Sequence, residues 1–151
     1  MKESQGAPEP DYLRRVSVRL MLVEERKRFD SLLESRHYLQ SARVGGQSLR
    51  YIAEVDGQWV ALLVFSGAAP HTKARENEIL WTPRQRARRL GFVVNNSRFL
   101  VLPKRRKYPN LASRVLGLSL KRLNGDWQEH WGHPVVLVES YVDESQYRGT
   151  C

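Results

Sequence analysis

His37, Tyr38 and Glu139 are the residues of this chain best suited to moving a proton. An imidazole works as general acid or base near neutral pH, and a carboxylate opposite it across a cleft would complete a catalytic pair. The same imidazole would serve the fold alone if it bonded a local carbonyl. His130 and His133 flank Trp131-Gly132 with no Cys or Asp at ligand spacing, so no metal is assigned. Glu76, Glu78, Asp126 and Glu139 are scattered, which argues against a two-metal acidic nuclease centre. Gly-x-Ser-x-Gly, Walker, His-Glu-x-x-His and Cys-x-x-Cys patterns are absent, so hydrolase and NTPase readings lack support.

A second chemistry is written in charge. Between Ile79 and Gly125 lie twelve basic side chains and no carboxylate, in a chain of net charge +9. Such a concentration points to a polyanion, with phosphate the expected group. The expected contacts are Arg84, Arg86, Arg88, Arg89, Arg98, Lys104, Arg105, Arg106 and Lys107, together with Asn110 and Ser113 at a helix start. On a helix, residues 84 and 88, and separately 86 and 89, fall on neighbouring rows. Trp81 and Tyr108 would add surfaces on which bases stack. The competing reading is a solvated cationic face, and DNA, RNA and a nucleotide stay open as partners. Arg98 lies in an apolar run and needs a carboxylate, Asp126 or Glu139, or else a ligand. Asn95 and Asn96, just before that run, read as a turn with side-chain to backbone bonds.

The elements that must position these groups follow from periodicity. Residues 17–21 alternate as a strand and residues 23–35 form an amphipathic helix. Residues 48–55 and 58–65 make a hairpin about Asp56-Gly57, and the second strand is apolar enough to be covered on both faces. Thr82-Pro83 caps a helix, and Arg98 to Leu102 is a buried strand ended by Pro103. Asn110 starts a helix closed by Asn124-Gly125, and residues 134–142 hold a last strand. The order β-α-ββ-α-β-α-β predicts an α/β fold, a mixed α+β sheet with helices on its faces and its last two strands parallel.

With 151 residues, 41% of them hydrophobic, the chain makes one domain over 12–151, after a polar, Gly- and Pro-containing lead at 1–11 that is expected to be disordered. Without an apolar run of membrane length or a signal-peptide core, no membrane partner is expected and the location is expected to be cytoplasmic. Cys151 has no partner for an internal disulfide.

Several spaced strings carry a family resemblance: His37-Tyr38-Leu39, Leu49-Arg50-Tyr51, Arg86 with Leu90, Asn95 through Pro103, Asn110-Leu111-Ala112-Ser113, Asp126-Trp127 and Glu139 to Asp143. In that order they resemble the DruA family of the Druantia anti-phage defence system, whose relatives also occur beside or fused to transposases. The resemblance implies an accessory protein of phage defence or of a mobile element, with other defence proteins as companions. It also marks Asn95, Asn96, Arg98 and Asp126 as family-motif residues. The chain departs from the pattern at Gln40, at Glu76 and at Ile79-Leu80-Trp81. It reads Gly149-Thr150-Cys151 where the family continues into a Tyr-Ala-Ala-Asn-Trp segment, so a C-terminal truncation is expected.

The element order is also similar to the GNAT acyltransferase layout. That implies a transferase with His37 or Glu139 as base and residues 104–113 holding a phosphate-bearing cofactor. The segment has no glycine to bring backbone N–H groups close to a pyrophosphate, so its cations and the helix end would do the holding. The residues name no particular cofactor. A third reading is a non-catalytic interaction subunit whose cations meet an acidic protein.

Overall fold

Asp56 and Gly57 have φ of 51° and 80°, the two left-handed residues that a type I′ turn demands. They join β2 (Ser48–Val55) to β3 (Gln58–Gly67) in the expected hairpin. This is a computed structural model, and it describes residues 9–37, 42, 46–67, 93–103 and 108–140. Before the hairpin come α1 (Glu9–Arg14), β1 (Val16–Leu20), a 3-10 turn (Val23–Glu25) and α2 (Arg26–Arg36). After it come β4 (Val93–Val101), α3 (Leu111–Trp131) and β5 (Leu137–Ser140). Helix α1 starts inside the stretch read from its composition as an unordered lead. The helix expected after Thr82-Pro83 falls outside the described residues.

The five strands form one sheet in the order β1-β2-β3-β4-β5. The pairs β1–β2, β2–β3 and β3–β4 are antiparallel, whereas β4 and β5 are parallel, as a crossover through α3 requires. Val60 to Ser66 are all buried, because alternate residues of β3 feed two different cores. On one face Leu63, Phe65, Tyr51 and Val94 pack with Leu111, Val115, Leu123 and Trp127 of α3. On the other, Ile52, Leu62, Val64 and Leu100 pack with Phe29 and Leu33 of α2.

Two expected boundaries move. Asn95 and Asn96 are strand residues, not a turn, since β4 begins at Val93 and pairs with both of its neighbours there. Pairing on two sides outweighs the weak strand preference of Asn. Val64 faces Arg98 and Phe65 faces Asn96, so Ser97 is the extra residue of a bulge. Ser97 Oγ donates to the Val64 carbonyl at 3.3 Å, and the Asn96 amide, turned with its nitrogen inward, donates to the carbonyls of Arg98 and Val64 at 2.9 and 3.3 Å.

Helix α3 likewise runs through Asn124-Gly125 to Trp131. Trp127 extends the buried i,i+4 stripe Leu111, Val115, Ser119, Leu123, and that packing outweighs one helical glycine. The stop is Gly132, at φ 82° with its N–H donating to the Gln128 carbonyl at 2.9 Å. Asn124 holds the returning chain instead, its Oδ1 accepting from the Val135 N–H at 2.8 Å. No helix among the described residues is long and apolar enough to cross a membrane.

Candidate functional site: a polar row on one sheet face

Ser48, Ser66, Asn95 and Glu139 are successive register partners across β2, β3, β4 and β5. The next row along is Arg50, Val64 and Arg98. Side chains alternate along a strand, so these residues share the α2 face with Ile52, Leu62 and Leu100. That face therefore changes from apolar to polar along its length. Ser66 is buried, while Ser48, Arg50, Asn95, Arg98 and Glu139 are partly exposed.

Arg50 and its neighbour Asp30 are only partly bonded. Arg50 Nη1 donates to Ser48 Oγ at 3.2 Å, but its Nε is buried without a partner. Burial lowers the basicity of this guanidinium, the nearby charge of Arg26 lowers it further, and Asp30 opposes the change. Asp30 Oδ2 accepts from Arg26 Nε at 2.9 Å, while its Oδ1 is buried and unbonded, as is Asn95 Oδ1.

His37 closes α2. Its N–H donates to the Leu33 carbonyl at 3.1 Å, and its ring is buried. Nε2 accepts from the Phe99 N–H at 3.4 Å, so the ring is neutral with its proton on Nδ1. Burial, and then the charge of Arg98, lower its pKa to about 4. The expected opposition to Glu139 is not what the strand register provides. Glu139 lies beside Asn95, and Phe99 is three register steps further along the sheet, roughly 10 Å at strand rise. Nε2 is thus occupied by a backbone donor rather than facing that carboxylate. Tyr38 lies outside the described residues.

Asp126 and Arg98 also separate, onto opposite faces of the sheet. On the α3 face Asp126 Oδ2 accepts from the Tyr51 hydroxyl at 2.6 Å and from Arg122 Nε at 2.6 Å, while Arg122 Nη1 donates to the Val18 carbonyl at 2.6 Å. Burial, reinforced by Asp126, raises the Tyr51 hydroxyl well above its ordinary pKa. Two of the spaced strings, Leu49-Arg50-Tyr51 and Asp126-Trp127, thus meet in one partly buried knot. His37 similarly meets the string running from Asn95 to Pro103.

The start of α3 was expected to hold phosphate. Glu9 of α1 holds that place: its carboxylate oxygens accept from the Asn110 N–H at 2.9 Å and from Asn110 Nδ2 at 3.1 Å. Tyr108 stacks on Tyr12 at 3.7 Å and 5°, and Arg114 Nε donates to the Leu13 carbonyl at 3.1 Å. Ser113 is exposed in the first turn of α3. Arg84, Arg86, Arg88, Arg89, Lys104, Arg105, Arg106 and Lys107 lie outside the described residues. Sequence reasoning overlooked Arg50, which the criterion applied to Arg98, a guanidinium inside a largely apolar strand, would have found.

A family model described as Druantia protein DruA matches residues 7–148. No curated protein matches the sequence. Among solved structures, the ribosomal-protein-alanine N-acetyltransferase from Brucella melitensis biovar Abortus 2308 is similar at 16% identity and a TM-score of 0.46, over 86% of this chain and 84% of that one.

Proposed function

The chain belongs to the DruA family, and on that basis we propose that it is an anti-phage defence or mobile-element accessory protein that engages nucleic acid through Arg84 to Lys107. The observation that carries this reading is the run of twelve basic side chains with no carboxylate between Ile79 and Gly125. Several cations nearer the N-terminus are ion-paired. Arg14 and Arg15 meet Asp11, Arg15 also meets Asp56, Arg19 meets Glu25 and Glu54, and Arg26 meets Asp30. Each of those cations already has a carboxylate close by. In the basic segment Arg122 is neutralised by Asp126 and Arg114 is tied to α1, so the proposed interface excludes both.

Fluorescence anisotropy of labelled single- and double-stranded oligonucleotides, with acetyl-CoA titrated in parallel, tests the proposal. Oligonucleotide binding that weakens steeply with salt is expected. Saturable acetyl-CoA binding without oligonucleotide binding would favour the acyltransferase reading instead. That reading has less support, because Glu9 already occupies the α3 start. Binding of neither would leave the interaction subunit.

A further inference from the structure

We infer that α1 is a displaceable cover: docked, it fills the place of one bound nucleotide beside the basic segment, and it gives way when nucleic acid enters. The inference rests on the reading that this segment engages nucleic acid. Two contacts imitate the two parts of a nucleotide. The Glu9 carboxylate accepts from the Asn110 N–H at 2.9 Å and from Asn110 Nδ2 at 3.1 Å, as a phosphate would. The Tyr12 ring lies flat on Tyr108 at 3.7 Å and 5°, as a base lies on an aromatic platform. Aromatic side chains pair more often edge-on or offset, with their centroids further apart, so this close superposition is the less usual choice. Tyr108 directly follows Lys107, and Asn110 comes two residues later. The covered groups therefore continue the cationic run Lys104 to Lys107.

Helix α1 is lightly held. It has six residues, none of them buried, and a helix of that length does not persist unless it is docked. Tyr12 and Leu13 pack only partly against the α3 core, and Arg114 Nε donates to the Leu13 carbonyl at 3.1 Å. Arg15, which meets Asp56 in the hairpin turn, keeps the end nearest β1 attached. Elements with so few buried contacts are the ones that open first. While docked, Glu9 sets a carboxylate beside a stretch that has none of its own between Ile79 and Gly125. It opposes a phosphate backbone both by using the Asn110 donors and by its charge. A strand that enters must displace α1, and its apparent affinity is reduced by the fraction of molecules in which α1 is docked.

Anisotropy with one labelled oligonucleotide compares the parent with Glu9→Gln, Tyr12→Ala and Asp11→Asn, after circular dichroism has confirmed that each variant folds. Asp11→Asn is the control: it removes the same charge from α1, at a residue that pairs with Arg14 and Arg15 rather than with Asn110. Glu9→Gln and Tyr12→Ala are expected to bind about fivefold tighter or more, and Asp11→Asn within about twofold of the parent. In the unsubstituted chain, hydrogen exchange over residues 9–14 is expected to accelerate when oligonucleotide is added. The inference is overturned if Glu9→Gln and Tyr12→Ala bind no tighter than the parent, if Asp11→Asn gains as much as Glu9→Gln, or if oligonucleotide slows exchange in α1. Salt-dependent binding by the parent that no variant tightens strikes this inference alone and leaves the basic-surface proposal standing. Absence of oligonucleotide binding by the parent and by every variant strikes both.

Discussion

The two faces of the sheet are built to different rules. On the α3 face the polar groups Tyr51, Asp126 and Arg122 satisfy one another inside an aromatic and aliphatic core, leaving Trp127 Nε1 as the exception. On the α2 face the apolar residues stop short, and near them Arg50 Nε, Asn95 Oδ1 and Asp30 Oδ1 are buried without a partner. The first face is organised to be stable. The second leaves more of its buried polar atoms unbonded.

Substitutions should separate the two. The largest effect is expected at Trp127, whose replacement by Ala removes the biggest fully buried side chain among the described residues and should cost about 3–5 kcal/mol in chemical denaturation. Next comes an acid effect at His37. Its pKa is about 4 in the folded chain against the ordinary 6.5, so between those values the unfolded chain binds the extra proton. Stability is therefore complete above about pH 6.5 and falls as pH drops toward 4, by about 3 kcal/mol at most. Denaturation midpoints at several pH values should show this slope, and His37→Gln should flatten it. Asp126→Ala strands the buried Tyr51 hydroxyl and should cost about 2 kcal/mol, whereas Tyr51→Phe should cost less, since Arg122 still serves Asp126. At the bottom stands Arg50→Met, expected within about 1 kcal/mol of the parent in either direction, because it removes a half-buried cation that is poorly paired. A loss at Arg50 as large as that at Trp127 would show that the two faces do not differ in kind.

Much of this was legible in the letters. Asp56-Gly57 specified its hairpin, the apolar run 59–65 announced a strand covered on both sides, and the spaced strings identified the family. The misreadings have a shared cause. Asn95-Asn96 carries turn chemistry, and Asn124-Gly125 carries the signal of a helix end. In each case tertiary partners prevail: β3 and β5 on either side of Asn95, and the core beneath Trp127. Asp126 is excluded as the partner of Arg98 by its place on the other sheet face, and a sequence does not say which face a residue takes. A one-residue bulge at Ser97 further resets which side each following residue meets. Nor could composition show that Glu9, more than a hundred residues before Asn110, would sit at the start of α3.

The central claim, that the cations from Arg84 to Lys107 grip a phosphate backbone, is tested most directly by the slope of log affinity against log salt for one oligonucleotide. The account predicts a steep negative slope for the parent chain and a slope shallower by about one to two for the Arg105→Ala, Arg106→Ala double variant. A flat slope, or one that the double variant leaves unchanged, would contradict it.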